Sequence, residues 1–362
     1  MITMLTSTIL AIFASTALCL VIPPEPPVLP ALANTAGALE TPQQPVSTSQ
    51  DTDEDPIPVI VWHGLGDSVL NDGLKSIADF IDEIHPGTYV HLISPVENPS
   101  SDKSATFFGN LTTQIDYVCT TLANDPILSA APAVDALGFS QGGQFLRGYI
   151  ERCGNRAPKV RNLLTFGSQH NGIAEFQKCN SPTDFVCQAA NALLKSSTVW
   201  SHYIQSHLVP AQYYRNTDDF EQYLQSSNFL ADVNNERKHK NVTYRENLAA
   251  LENFVMVVFE DDQTVIPRES GWFAEVNVTD SRVTNLTERA IYKEDWIGLK
   301  QLDEKGGLVF ESVRGGHMEL HDKDLKRLFK RYLGPLHKNK DKSDKSEDMK
   351  QDVLRADMKL DL

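Results

Sequence analysis

The chain has 362 residues, 41% of them hydrophobic and 22% charged, which is long enough for one large domain with insertions or for two domains. Its formal net charge of −15 argues against nucleic acid or an anionic membrane surface as the main partner, because both are negatively charged themselves.

The N-terminal segment has the composition of a secretory signal. The first 50 residues contain no Lys or Arg, and residues 4–22 are apolar or small apart from Thr and Ser. We predict a signal peptide over residues 1–22, with the cleavage position open between Ala17 and Ala33. An uncleaved signal anchor is the alternative, because the stretch approaches the length of a membrane span. After cleavage we expect no stable membrane span.

Two segments, one on each side of a globular part, are predicted to be disordered from their composition. Residues 23–55 are rich in Pro, Ala, Thr, Ser and Gln and then become acidic, which is typical of a linker that buries no core. Residues 336–362 alternate Lys with Asp and Glu. The folded domain is therefore expected over residues 56–335.

Within that domain, strand and helix patterns alternate. Apolar or alternating runs predict strands at 59–62, 89–93, 134–139, 163–166, 254–259 and 308–310. Apolar residues at helical spacing predict helices near 74–84, 115–122, 141–153 and 322–332. The alternation predicts an α/β fold with a mostly parallel sheet. Between about 173 and 252 no buried-strand run appears, so we expect a largely helical insertion that forms a cap and builds the substrate site.

A nucleophile-elbow motif lies between the third predicted strand and the helix that follows it. Gly138, Ser140 and Gly142 form the pattern G-x-S-x-G, in which small flanking residues let a strand turn sharply into a helix and lift the serine hydroxyl above the sheet. The pattern also occurs by chance. The strand before it and the helix after it favour the elbow, and make Ser140 the candidate nucleophile.

A serine nucleophile needs a histidine base and an acid, which follow it in that fold in the order Ser, acid, His. Only three histidines follow the last predicted strand: His317, His321 and His337. His317 lies in a Gly-Gly turn directly after that strand and is the candidate base. For the acid, spacing alone does not separate Glu260, Asp261 and Asp262, which all follow the preceding strand.

The oxyanion of an acyl-transfer reaction needs two backbone N–H donors. Gln141 directly follows the candidate nucleophile at the helix start and is predicted to supply one. The other should come from the turn His63–Gly66 after the first strand, with Leu65 as the candidate. No Cys/His set has zinc spacing, and no phosphate-binding loop or dinucleotide fingerprint is present. This chemistry therefore needs no metal and no cofactor.

Cysteines and glycosylation motifs support an exported protein. Beyond Cys19 in the signal, the chain holds an even set of four, which suggests two disulfides in an oxidising compartment. Four N-x-Thr motifs predict N-glycosylation at Asn110, Asn241, Asn277 and Asn285.

With these residues in place, the chain resembles the palmitoyl-protein thioesterases, specifically the lysosomal type 1 branch. The resemblance runs from about Ile57 to Leu333. The stretches that carry it are 61–68, 137–147, 229–234, 254–257 and 269–273.

The resemblance implies an α/β-hydrolase fold and the removal of palmitoyl and other long-chain acyl groups from cysteine thioesters in S-acylated proteins or peptides, or in small acyl thioesters. It implies Ser140, Asp262 and His317 as the catalytic triad, and so selects Asp262 among the three acids. It also implies disulfides between Cys119 and Cys153 and between Cys179 and Cys187, and a lysosomal, vacuolar or extracellular location.

Two other functions remain open at this point. A secreted lipase or carboxylesterase would use the same fold and triad on oxygen esters, and a lipid-binding glycoprotein without activity would keep the fold alone. Acyl-chain preference, natural substrates and oligomeric state do not follow from the sequence.

Overall fold

The computed structural model describes residues 56–176, 185–215, 217–277 and 280–336, except the side chains of residues 185–187. The predicted signal peptide, the predicted linker and residues 337–362 of the predicted tail lie outside the described residues. No helix in the described ranges combines the length and the apolar composition that crossing a membrane requires.

The described ranges contain a central sheet with helices packed on both sides. The strands are β1 (Val59–Trp62), β2 (Val90–Leu92), β3 (Val134–Phe139), β4 (Val160–Phe166), β5 (Asn253–Phe259), β6 (Glu275–Val276), β7 (Val283–Thr284) and β8 (Leu308–Val313). Six of them form the sheet in the order β2-β1-β3-β4-β5-β8, and every pair is parallel. The other two, β6 and β7, pair as a short antiparallel hairpin. The predicted α/β class is confirmed, and the arrangement is that of an α/β-hydrolase.

Helices connect the strands. They are α1 (Asp72–Ile84), α2 (Asp102–Ala105), α3 (Leu111–Asn124), α4 (Pro126–Ala130), α5 (Gln141–Cys153), α6 (Phe185–Leu194), α7 (His202–His207), α8 (Val209–Gln212), α9 (Phe220–Ser226), α10 (Leu230–Val233), α11 (Val242–Ala249), α12 (Ala290–Lys293), α13 (Leu299–Glu304) and α14 (Asp322–Tyr332). Short 3₁₀ helices add Pro99–Ser101, Gly154–Arg156, Ser197–Trp200, Arg268–Trp272 and Leu286–Glu288.

Both faces of the inner strands β1, β3, β4 and β5 are largely buried, which explains why their sequences contain long apolar runs. On β1, Ile60 and Trp62 join the core under α3, α5 and the insertion, whereas Val59 and Val61 join the core under α1 and α14. Because successive side chains in a strand point to opposite faces, one apolar run supplies both cores.

Four strands differ from the predicted runs: β2 is one residue shorter at each end, β5 begins one residue earlier, and β4 and β8 are three residues longer. β4 begins at Val160 rather than residue 163, and β8 continues to Val313 rather than ending at 310. The additional residues of β4 and β8 include polar ones, so they do not continue the apolar pattern in the sequence. Asn162 of β4 is buried because its side chain has a hydrogen-bond partner: it donates to the carbonyl oxygen of Tyr332 at 2.6 Å. The β6–β7 hairpin and the helices α12 and α13 were not predicted, because they are too short to give a periodic pattern.

The insertion contains α6 to α11 and, in its described part, no strand. It packs on the side of the sheet that carries α5. The ring of Phe145 on that helix meets Phe229 edge to face at 6.0 Å and lies 6.3 Å from Tyr213. The helix that follows the nucleophile is therefore enclosed between the sheet and the insertion.

Candidate active site

Ser140 occupies the sharp turn between β3 and α5. Its backbone has φ 51° and ψ −126°, a positive φ that non-glycine residues rarely adopt. A Cβ on Gly138 would collide with the backbone of Gly143. A Cβ on Gly142 would collide with the carbonyl oxygen of Trp62, at the end of the neighbouring strand. The small residues on both sides of the serine are therefore required by space.

His317 bridges the serine and an aspartate. It comes from the Gly-Gly turn after β8, and its Nε2 lies 3.0 Å from Oγ of Ser140. Its Nδ1 lies 2.7 Å from Oδ2 of Asp262. The side chain of Asp262 is 1% exposed, while that of His317 is 13% exposed. This geometry lets the imidazole take a proton from the hydroxyl while the carboxylate fixes the ring and stabilises its cation.

The turn after β5 presents only one of its three acids to the histidine. Oδ1 of Asp262 accepts hydrogen bonds from the backbone N–H groups of Thr264 and Val265 at 2.8 and 2.9 Å, which leaves Oδ2 for His317. Asp261 is exposed, and Glu260 accepts from the hydroxyl of Ser312 at 3.1 Å. The alternatives that the sequence pattern left open are thus separated by side-chain direction.

The two predicted oxyanion donors lie on either side of the nucleophile. Leu65 is in the turn after β1, and a Cβ on the adjacent Gly64 would approach Cβ of Ser140 to 3.1 Å, so this turn lies directly against the serine. Gln141 is the first residue of α5. Among the described residues, neither the Leu65 N–H nor the Gln141 N–H donates to a protein acceptor. Both donors are therefore available to a substrate oxygen.

The other candidate histidines lie elsewhere. His321 is exposed at the N-terminus of α14, and His337 lies outside the described residues.

A family model described as palmitoyl protein thioesterase matches residues 58–317 of the chain. Palmitoyl-protein thioesterase 1 of Caenorhabditis elegans is 35% identical over 266 residues, which cover 73% of this chain and 87% of that protein.

The chain belongs to the palmitoyl protein thioesterase family. The protein is accordingly a thioester hydrolase. A palmitoyl-protein thioesterase-dolichyl pyrophosphate phosphatase fusion of Schizosaccharomyces pombe is 36% identical over 278 residues, 76% of this chain and 43% of the fusion. The human lysosomal thioesterase PPT2 is 27% identical over 264 residues, 70% of this chain and 78% of that protein.

The side chain of Gln141 has a structural role in the thioesterase that sequence reasoning missed. Its Nε2 donates to the carbonyl oxygen of Thr106 at 3.2 Å, and its Oε1 accepts from the hydroxyl of Tyr213 at 3.0 Å. One residue therefore joins the start of α5 both to the loop after α2 and to the insertion. Only its position directly after the nucleophile marked it in the sequence.

A fully buried pair of an arginine and a glutamate lies on the same helix. Nη1 of Arg147 lies 2.9 Å from Oε1 of Glu151, and both side chains are 0% exposed. Nη2 of Arg147 donates to the carbonyl oxygen of His170 at 3.2 Å and to Oδ1 of Asn234 at 2.7 Å. Burial raises the pKa of Glu151 to about 8, and the attraction of Arg147 offsets only part of this effect. The pair ties α5 to the loop after β4 and to the insertion.

A disulfide between Cys119 and Cys153 joins α3 to the end of α5, with 5.8 Å between the Cα atoms. For its sequence separation of 34, the loop-entropy model gives about 4 kcal/mol of stabilisation. The second predicted disulfide stays a prediction, because Cys179 lies outside the described residues and the side chain of Cys187 is not described.

The four glycosylation candidates lie at the surface or close to it. Asn241, Asn277 and Asn285 are exposed, and Asn110 is half-buried. Asn110 and Asn241 cap helices through side-chain oxygens that accept backbone N–H groups. Such a cap uses the oxygen and leaves the nitrogen that a glycan would occupy, so helix capping and glycosylation are compatible. Their occupancy stays a prediction.

Proposed function

We propose that the protein removes palmitoyl and other long-chain acyl groups from cysteine thioesters of S-acylated proteins or peptides, through an acyl-serine intermediate. The single observation that carries the residue assignment is the hydrogen-bonded chain Ser140–His317–Asp262 at the carboxyl ends of the parallel strands. Membership of the palmitoyl protein thioesterase family supports the substrate class.

In the proposed reaction, Ser140 Oγ attacks the thioester carbonyl carbon while Nε2 of His317 takes the hydroxyl proton. The carbonyl π electrons move to oxygen, and the N–H groups of Leu65 and Gln141 bind the oxyanion. Collapse of the intermediate breaks the carbon–sulfur bond, and the proton on Nε2 of His317 passes to the departing sulfur, so that the thiol leaves and the imidazole is neutral again. A thiol has an ordinary pKa of about 8.5, so the thiolate leaves more readily than an alkoxide and depends less on protonation by the histidine.

The second half of the reaction repeats this chemistry with water. Nε2 of His317 removes a proton from water, the hydroxide attacks the acyl-serine, and the same two N–H groups bind the second oxyanion. The serine oxygen then leaves with the proton from the imidazolium. The fatty acid departs, and the free enzyme is restored.

We further propose that the protein acts in the secretory pathway, in a lysosome or vacuole or outside the cell. The signal-like N-terminus, the four glycosylation motifs and the Cys119–Cys153 disulfide support export, because disulfides persist in oxidising compartments. The human relative whose name includes lysosomal thioesterase supports the lysosomal form of this proposal. Digestion with a glycosidase and fractionation of organelles test it.

The activity is tested by comparing a palmitoyl thioester with the matching oxygen ester, with wild-type protein and the variant Ser140→Ala. We expect faster hydrolysis of the thioester, and a loss of at least about 10³-fold in kcat for the variant. Ser129→Ala, which changes an exposed serine on α4, is the matched control and should retain full activity. Preference for the oxygen ester would favour a carboxylesterase, and turnover by the Ser140 variant would contradict the assignment.

A further inference from the structure

A second histidine–aspartate pair lies buried beside the nucleophile, in the turn that follows β1. Nε2 of His63 lies 3.0 Å from each carboxylate oxygen of Asp102, and both side chains are 0% exposed. Nδ1 of the same ring lies 3.1 Å from the carbonyl oxygen of Gly64. Oδ2 of Asp102 also accepts the backbone N–H of Val69 at 2.8 Å. The buried pair thus holds the turn after β1 together by hydrogen bonds.

These contacts define the charge of the ring. A carbonyl oxygen and a carboxylate only accept hydrogen bonds, so both nitrogens of His63 must donate. A neutral imidazole carries one N–H, and only the imidazolium carries two. Burial lowers the pKa of His63, but the hydrogen bond and the negative charge of Asp102 outweigh burial and raise the pKa above its ordinary value. Gly64 and Asp67 act in the same direction.

The position of the Gly64 carbonyl matters because that carbonyl shares a peptide unit with the Leu65 N–H. The peptide bond is planar and trans, so its C=O and N–H point in opposite directions. A donor that holds the Gly64 oxygen therefore sets the direction of the Leu65 N–H. A cation on the oxygen also polarises the peptide unit and makes its N–H a stronger donor.

We propose that His63, held as an imidazolium by Asp102, is a positioning residue that aims the Leu65 N–H at the substrate oxyanion. This inference rests on the proposed function, in which Leu65 is one of the two oxyanion donors. Its action is indirect, since the ring contacts the far side of the peptide unit and not the reacting atoms. A second contact steadies the turn, because the N–H of Gly66 donates to Oγ1 of Thr106 at 2.9 Å.

The first experiment compares His63→Gln with the control His91→Gln. His91 on β2 also faces an aspartate, with its Nδ1 3.4 Å from Oδ2 of Asp125, but it is not part of the site. We expect His63→Gln to lower kcat on a palmitoyl thioester about 10- to 100-fold, somewhat less than the loss of a whole oxyanion donor, with KM nearly unchanged. The control should keep its kcat. Equal kcat values for the two variants would overturn the proposal.

The variant Asp102→Asn tests the negative charge of Asp102 separately from the size of its side chain. The amide oxygen of asparagine still accepts the Val69 N–H, but the charge that keeps His63 ionised is gone. We expect near-normal activity at acidic pH and a loss as pH rises through the lowered pKa of His63, so that the alkaline limb of the kcat profile moves to lower pH. A profile parallel to that of the wild type would contradict the role of the charge.

Histidine ¹⁵N NMR of the wild-type protein tests the ring directly. The His63 signal, identified by its shift in Asp102→Asn or its loss in His63→Gln, should show two protonated nitrogens at pH 6.5, where an ordinary imidazole is half neutral. A neutral ring there would overturn the proposal even if a variant fails to fold.

The rate of labelling by a fluorophosphonate separates this proposal from the proposed function. That probe needs Ser140, His317 and the oxyanion donors but no acyl thioester. If the wild type labels rapidly yet does not cleave palmitoyl thioesters, the substrate assignment fails. Slow labelling of His63→Gln would then still support the positioning role, and labelling at the wild-type rate would refute it.

Discussion

Replacement of Glu151 by glutamine should remove the contribution that this carboxyl group makes to the pH dependence of the unfolding free energy between pH 5 and pH 7. The carboxyl group is fully buried on α5, 2.9 Å from Arg147, and its second oxygen, Oε2, has no protein partner among the described residues. A buried ionised oxygen without a partner is costly, so the neutral carboxylic acid is favoured in the folded state. Glutamine has nearly the same shape and is neutral at every pH.

The sign and the size of this effect on the unfolding free energy follow from the difference between the folded-state and unfolded-state pKa values of Glu151. The folded-state pKa of Glu151 is about 8, above its ordinary value of 4.5, so the folded protein binds the proton more tightly than the unfolded chain. The stabilisation is fully present below pH 4.5 and is lost as pH rises towards 8. Between pH 5 and pH 7 this single group should lower the free energy of unfolding by about 2.5 kcal/mol.

Urea denaturation at pH 5, 6 and 7 measures this effect. The free energy of unfolding of the wild type minus that of Glu151→Gln should fall with pH by about the amount given above. Glu246→Gln, an exposed acid on α11, is the control and should show no such slope. Parallel pH profiles for the wild type and Glu151→Gln would show that the carboxyl group ionises normally, and would refute the reasoning.

Two further substitutions test the site and its packing. Asp262→Asn should lower kcat about 10³- to 10⁴-fold, because the amide of asparagine does not orient the imidazole or stabilise its cation as the carboxylate of Asp262 does. In steady-state kinetics the control Asp261→Asn should keep nearly full activity. A similar loss of kcat in both variants would contradict the assignment. Gly142→Ala should destabilise the fold by about 1–3 kcal/mol, because its Cβ would collide with the Trp62 carbonyl. Thermal unfolding tests this against Gly73→Ala, where the nearest atom would be 3.6 Å away; equal melting temperatures would refute the crowding argument.

Much of the scaffold was predictable because its signals are local. The strands 59–62 and 134–139 match the predicted runs residue for residue, since both are buried on both faces and only Asp135, itself buried beside Arg161, interrupts the apolar residues. The helix 322–332 also matches, because its apolar residues recur at helical spacing. β4 and β8 were predicted too short for the opposite reason: their outer residues are polar and are accommodated by contacts that are distant in the sequence.

Some residues of the candidate site also have local sequence signals, whereas others are identified only by contacts that are distant in the sequence. Sequence by itself determined Ser140 and His317 as candidates, because a sharp turn between flanking glycines and a histidine directly after the last strand are local patterns. Only the tertiary structure, apart from the family resemblance, decided among Glu260, Asp261 and Asp262, since neighbours in a turn differ in side-chain direction and not in spacing.

The pairing of His63 with Asp102 required the fold as well. The two residues are 39 positions apart, and the packing of the segment around α2 against the turn after β1 brings them together. The spacing of residues in the sequence does not indicate such a contact, because the contact depends on how the turn after β1 and the segment around α2 pack at the end of the sheet. Local sequence therefore determined which groups can react, whereas tertiary packing decided their direction and the charge of the buried groups beside them.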